Sequence, residues 1–293
     1  MKILITGAYG QLGNEINCLT ARYPEWQFLF TDVDSLDITN ESALEIYFKE
    51  NKPGFVVNCA AYTAVDKAET DYGTAEKVNA VAPQLLGKYS KKFDAKLIHI
   101  STDYVFDGET FIPYSESDKV NPKSVYGETK LQGERNCLEE NSESIIIRTS
   151  WLYSSFGNNF VKTIFRLGKE RGQMNVVYDQ IGTPTYAADL AKAILDIILI
   201  TEEKPEKFVP GIYHYSNEGV ASWYDFAKAV FEISGVKCAV SPVRSVEFPT
   251  PAKRPNFSVL DKSKIKNSFG INIPYWKESL RDCIQKLNLT TSF

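Results

Sequence analysis

Short apolar runs alternate with longer stretches of helical periodicity through the first half of the chain. Ile3–Thr6, Gln27–Phe30, Phe55–Asn58, Lys96–Ser101 and Ser144–Thr149 read as strands. Between them, Gln11–Arg22, Glu41–Glu50, Tyr72–Lys91 and Val125–Glu140 carry helix-like patterns. Strands that are apolar throughout, rather than on alternate positions, predict a parallel sheet covered on both faces. After Trp151 the rhythm changes. Phe160–Arg171 reads as helix and Asn175–Val177 as a short strand. Tyr186–Ile200 places Ala188, Ala191, Ile194, Leu195 and Ile198 at helical spacing. Tyr213–Tyr215 reads as a strand, and Ser222 as the cap of a helix running to Ser234. The proline-bearing stretch Phe248–Pro255 is incompatible with regular helix or central strand. A last helix is expected over Tyr275–Leu287. The expected class is α/β with a doubly wound parallel sheet in residues 1–150, and residues 151–293 partly completing that sheet.

Composition removes several alternatives. The 293 residues suffice for a substantial core without disulfide or metal staples. Lys and Arg number 33 against 37 Asp and Glu, a formal net charge of −4, which offers no field for a nucleic-acid polymer. Cys18, Cys59, Cys137, Cys238 and Cys283 are odd in number, far apart and without a CxxC, so neither a disulfide scaffold nor a zinc ribbon is expected. The most apolar helical window, Leu190–Ile200, is interrupted by Lys192 and Asp196, so no membrane span is expected. Met1-Lys2-Ile3-Leu4-Ile5 leads straight into a glycine turn and does not read as a signal peptide. A cytoplasmic protein is the expectation.

Gly7-Ala8-Tyr9-Gly10-Gln11-Leu12-Gly13 follows the first strand and opens the first helix. This GxxGxxG pattern is what a dinucleotide site needs: a tight turn, close backbone approach to a diphosphate, and a helix N-terminus aimed at it. The expected cofactor is therefore NAD(H) or NADP(H), on a Rossmann-type sheet. Asp32 ends the second strand about 20 residues later, where an acid accepts from the adenosine ribose hydroxyls. A carboxylate there repels a 2′-phosphate, which favours NADH. Asp37 and Ile38 fall beside the expected adenine position. Ala60, Ala61, Tyr62 and Thr63 follow the third strand, with small residues that let a cofactor approach.

Tyr126 and Lys130 stand four residues apart on an expected helix and so share a face. A nearby cation favours phenolate, so Lys130 is expected to lower the Tyr126 pKa. Thr102, 24 residues upstream at the end of the fourth strand, can hydrogen-bond the same substrate oxygen. Ligands of open parallel sheets bind beyond the carboxyl ends of the strands, where these groups map. The two histidines, His99 and His214, fit satisfied strand residues better than ligands.

With these motifs in this order, the chain resembles the extended short-chain dehydrogenase/reductase superfamily. More narrowly it is similar to the dTDP-4-dehydrorhamnose reductase family, through Ala60–Glu69, Ser101–Gly108, Arg148–Tyr153, Gly157–Phe160, Asp179–Thr185 and Arg254-Pro255. The resemblance implies hydride delivery from NADH or NADPH to the C4 ketone of dTDP-4-dehydro-β-L-rhamnose. Tyr126 would be the proton donor, Lys130 would hold the nicotinamide ribose, and Thr102 would bind the reacting oxygen. Asp103, Tyr104 and Trp151 would contact the sugar. Asn159, Lys253 and Arg254 are candidates for the diphosphate and nucleotide end, in a smaller C-terminal substrate-binding subdomain. The partner implied is a small nucleotide sugar, with a monomer or homodimer as the assembly. Related 4,6-dehydratases carry Thr-Asp-Glu where this chain has Thr102-Asp103-Tyr104, and a phenol does not replace that carboxylate base at neutral pH. A 4-epimerase remains open from the generic motifs, as does a non-catalytic regulatory subunit resembling that of methionine adenosyltransferase. Some relatives form Mg²⁺-bridged dimers through acidic side chains. Glu15 is available for that, but Asp189 is out of step and Thr290–Phe293 offers no carboxylate side chain, so no metal is expected.

Overall fold

The computed structural model describes residues 1–290. Six parallel strands form the central sheet: β1 (Lys2–Thr6), β2 (Gln27–Thr31), β3 (Phe55–Asn58), β4 (Lys96–Thr102), β5 (Ile145–Thr149) and a late strand, Gly211–Tyr215. Their spatial order is Gly211–Tyr215, β5, β4, β3, β1, β2. The second half of the chain thus supplies one edge of the sheet. The order reverses between β1 and β3, which pair with Thr6 opposite Asn58. That reversal opens the crevice in which doubly wound folds bind ligands.

The inner strands bury both faces. Ile3, Ile5, Val57, Ile98, Ile100, Ile145 and Ile147 face one layer with Leu190, Ile194 and Ile197. Leu4, Val56, Leu97 and Ile146 face the other with Leu44, Phe48, Leu86 and Tyr89. Helix α1 (Gln11–Leu19) packs beside the Ala187–Glu203 helix on the first face. A separate cluster built on Val161, Phe165, Phe226, Val230, Trp276 and Leu280 forms the core of the C-terminal region. No helix among the described residues is long and apolar enough to cross a membrane.

The single helix expected over Tyr72–Lys91 is divided. Tyr72–Glu76 and Ala82–Lys92 are α-helical, and Lys77–Val81 between them is a π-helical turn. Pro83 explains the break, because its ring cannot donate to the Asn79 carbonyl and clashes with it in a regular helix. Gly133 of the Val125–Glu140 helix lies directly against that same Asn79 carbonyl. The wide turn therefore seats one helix on the other. The Asn79 side chain also holds the Tyr62 backbone, accepting from its N–H at 2.9 Å and donating to its carbonyl at 3.1 Å. Among the elements not expected from sequence are the Ser263–Phe269 helix, the Ala239–Val243 strand paired with Gln173–Val177, and the short strands Leu152–Tyr153 and Thr185–Tyr186 that pair with each other.

Candidate active site

The glycine turn lies at the crevice. Gly7 adopts φ +65°, and a Cβ there would sit 2.7 Å from the backbone of Ala60. Only glycine meets both demands, and its absent side chain is what lets β1 and β3 end side by side. Gly10 caps α1 without any side-chain hydrogen bond, and no acid occupies the first turn. The helix therefore presents its N-terminal N–H groups and positive end toward the crevice, which fits a dinucleotide diphosphate. The Asp32 carboxylate accepts from the N–H groups of Tyr9 at 3.0 Å and Val33 at 2.9 Å, tying β2 to the turn. Asp37 is exposed and accepts from the Thr39 N–H and hydroxyl. Ile38 is buried, its side chain in the core cluster with Leu36 and Leu44, which leaves its backbone as the part available at the crevice. Leu12 is likewise buried, and only its backbone is available at the turn. The Tyr62 hydroxyl donates to Asp71, and Thr63 is exposed.

Thr102, Asp103, Tyr104, Tyr126 and Lys130 converge at the end of β4. The Thr102 hydroxyl acts on the Tyr126 phenol, whose ring meets Tyr104 edge-on with centroids 5.4 Å apart. This approach depends on Gly127, where any Cβ would overlap the Tyr104 carbonyl. Burial pushes the Tyr126 phenol up to about 12, against a smaller opposing effect of Thr102. That corrects the expectation of a lowered tyrosine pKa. Lys130 does not act on the phenol here, because its Nζ turns to the Ile100 carbonyl at 2.7 Å. Burial instead lowers the Lys130 ammonium to about 8. The phenol is thus protonated at neutral pH, the state required of an acid.

Asp103 is buried. One carboxyl oxygen accepts from Thr102 at 3.0 Å, while Oδ2 has no hydrogen-bond partner. Burial raises this carboxyl to about 6, with the Ser258 and Thr102 hydroxyls pulling the other way. The folded protein therefore holds this proton to higher pH than the unfolded chain. The contribution of Asp103 to stability is most favourable in acid and declines as pH rises from 3.8 to about 6. Asp103→Asn should accordingly stabilise the protein at pH 7 by about 1–3 kcal/mol, with no gain at pH 4. Chemical denaturation at the two pH values checks this.

Trp151 holds φ +47°, a left-handed conformation costly for a tryptophan. It stacks on Trp223 with centroids 3.6 Å apart, and its other neighbour is Gly182, which also lies against Ser258. Trp151 is thereby connected to Asp103 through Gly182 and Ser258. Asn159 is placed differently from the expected nucleotide-facing role. It caps the Phe160–Arg171 helix through the Lys162 N–H, and its amide donates to Gln11 at 2.9 Å and to the Ser154 and Phe156 carbonyls. It thus fastens the C-terminal region to the glycine turn. Arg254 forms a two-pronged pair with Asp66 at 3.0 and 2.7 Å and raises no free fork. Lys253 is exposed.

Two buried networks lie beneath the site, and sequence reasoning missed both. Ser101 and Arg148 converge on Glu134, with Arg148 Nε and Nη2 at 2.9 and 2.7 Å from the carboxylate. Glu134 stands one turn past Lys130 on the same helix face, which was the available signal. The second network joins Thr6, Asn58, His99 and Lys130. Elsewhere, Glu15 accepts from Ser154 at 2.6 Å and from Lys286 at 3.3 Å. Asp189 accepts from Asn217 and Ser279. No group of three or more His, Cys, Asp or Glu among the described residues is arranged to hold a metal. Residues 291–293 of the C-terminal segment considered for a metal lie outside the described residues.

A family model for the RmlD substrate binding domain matches residues 1–289. A dTDP-4-dehydrorhamnose reductase of Aggregatibacter actinomycetemcomitans is 40% identical, covering 96% of this chain and 97% of its own. A crystal structure of a dTDP-4-dehydrorhamnose reductase from Clostridium acetobutylicum superposes with a TM-score of 0.92 at 46% identity, covering 98% of this chain and all of its own. Another such reductase, from Bacillus anthracis and in complex with NADP, gives 0.90 at 38% identity over 97% and 99% of the two chains. Matched across nearly its whole length by the family model and by these relatives, the chain belongs to the dTDP-4-dehydrorhamnose reductases, a family of oxidoreductases.

Proposed function

We propose that this chain reduces the C4 ketone of dTDP-4-dehydro-β-L-rhamnose to dTDP-β-L-rhamnose, with NADH or NADPH as reductant. The observation that carries the reading is the buried, protonated Tyr126 phenol set against Thr102 and Tyr104 at the end of β4, on a family member's fold. Gly7, Gly10, Gln11 and Leu12 would hold the cofactor diphosphate through backbone N–H groups at the start of α1. Asp32 would take the adenosine ribose, Asp37 would flank the adenine, and Ala60, Ala61, Tyr62 and Thr63 would line the path to the nicotinamide. When bound, the reduced nicotinamide supplies the hydride that reaches C4. Thr102 donates to the ketone oxygen and orients it. Tyr126 gives its proton to the oxygen as charge develops there, and Lys130 holds the ribose hydroxyls next to it. Asp103 and Tyr104 bind the sugar hydroxyls, and Trp151 packs against the ring. Lys253, which is exposed, and Arg254 would take the nucleotide diphosphate, Arg254 exchanging Asp66 for the ligand.

The test is loss of reduced cofactor on mixing the protein with dTDP-4-dehydrorhamnose and either NADH or NADPH. Turnover with dTDP-rhamnose as product supports the reading, and no turnover with either cofactor rejects it. Asp32 favours NADH, because its carboxylate repels a 2′-phosphate. Asp32→Asn should shift the ratio of kcat/KM for NADPH over NADH upward by about tenfold, roughly 1.4 kcal/mol of discrimination. An unchanged ratio would remove Asp32 from cofactor choice.

A further inference from the structure

A line of buried polar side chains crosses the sheet to reach Lys130. Thr6 Oγ1 donates to Asn58 Oδ1 at 2.7 Å, and the Ala60 backbone N–H donates to the same oxygen at 3.2 Å. A backbone N–H can only donate, so the Asn58 amide has one orientation, with Oδ1 toward Ala60 and Nδ2 toward His99. Nδ2 lies 2.9 Å from His99 Nδ1. Because Nδ2 is a donor, Nδ1 must be the bare ring nitrogen, and neutral His99 carries its hydrogen on Nε2. Nε2 lies 3.5 Å from Lys130 Nζ, which itself donates to the Ile100 carbonyl. Thr6, Asn58, His99 and Lys130 are all at most 1% exposed. A ring N–H therefore points at a nitrogen that, as an ammonium, can only donate. As a neutral amine, that nitrogen has a lone pair to receive it.

Resting on the reductase reading above, we propose that His99 is a positioning residue for Lys130. The Ile100 carbonyl holds the Lys130 nitrogen one helical turn from Tyr126, and the His99 Nε2–H, fixed in that tautomer by Asn58, loosens its third proton. Burial keeps His99 neutral well below its ordinary range, so the ring adds a dipole to this environment and no charge. The other titratable groups acting on Lys130 are Glu134 and Cys137 on its own helix, both of which favour the ammonium. Glu134 is neutralised by Arg148 from β5. A lysine that exchanges its proton near neutral pH suits the reaction. Each turnover takes one proton from Tyr126, so the site must be resupplied with a proton, and a buried ammonium that exchanges near neutral pH suits that need.

Lysine ¹⁵Nζ NMR on the full chain reads this titration without turnover, with Lys130 assigned through Lys130→Arg. In the wild type the Lys130 midpoint falls at about 8. In His99→Leu it should move up by about one pH unit, and the alkaline limb of kcat should move with it while KM for the nucleotide sugar stays put. A midpoint that stays in place or moves down overturns the proposal. The imidazole ¹⁵N spectrum of the wild type tests it without any variant, since the chain has only two histidines. It should show the His99 hydrogen on Nε2. A hydrogen on Nδ1, or a charged His99 at neutral pH, overturns the proposal. Failure of the reductase reading is seen separately, as absence of wild-type turnover, whatever the two spectra show.

Discussion

Tyr126→Phe should lower kcat by about a thousandfold, the scale on which a positioned general acid acts, while cofactor affinity and folding stability stay close to wild type. The phenyl ring keeps its edge-on contact with Tyr104. Thr102 keeps its bonds to the Asp103 carboxyl and from the Tyr104 N–H, so no buried polar group is stranded. What is removed is the one proton held ready above the sheet end, on a phenol that burial keeps protonated up to about 12. Single-turnover rates, with cofactor affinity measured by fluorescence, separate the two effects. A variant that keeps kcat within tenfold of wild type would show that the proton comes from elsewhere. The same raised pKa predicts that Tyr126 does not itself limit the rate below pH 10. An alkaline decline beginning nearer 8 belongs to Lys130.

Arg148→Met should destabilise the fold by about 3–5 kcal/mol, because breaking a buried ion pair leaves its partner's charge without compensation. Arg148 and Glu134 are 2% and 1% exposed, and Ser101 alone would remain on the Glu134 carboxylate. The pair joins β5 to the helix that carries Tyr126 and Lys130, so the same change should loosen the site as it weakens the fold. Arg148→Met combined with Glu134→Leu removes both charges and should recover much of the loss. Urea denaturation of the two variants decides the matter. Equal destabilisation of single and double variants would mean that volume, not the unpaired charge, sets the cost.

The parts of this molecule readable from sequence are those written locally. The glycine turn is readable because a strand, a GxxGxxG and a helix stand in one short run. The Tyr126–Lys130 pair is readable because four residues make one helical turn. The apolar strands announce a sheet buried on both faces, and Ser222 announces its helix, which the structure closes with a capping box through Asp225. What escaped depends on residues distant in sequence. The π-helical turn at Lys77–Val81 is inserted into a stretch whose periodicity reads as one helix, and only its packing on Gly133 shows its use. Glu134 and Arg148 stand 14 residues apart on a helix and a strand, so no local pattern pairs them until the fold brings them together. The Arg254–Asp66 pair spans 188 residues. The direction of the Tyr126 shift was misread for the same reason: burial outweighs the neighbouring lysine, and burial is set by β4 and the Tyr104 turn. His99 read as core, and it is buried, yet its neighbours give its ring a direction.

Transfer of deuterium is the most direct test of the central claim. The protein is incubated with dTDP-4-dehydro-β-L-rhamnose and nicotinamide cofactor carrying deuterium at the transferable position, and the sugar is examined by NMR. The account predicts dTDP-β-L-rhamnose with one deuterium at C4, formed at a rate that Tyr126→Phe suppresses. A sugar recovered still as the ketone, or a product with no deuterium at C4, would contradict it.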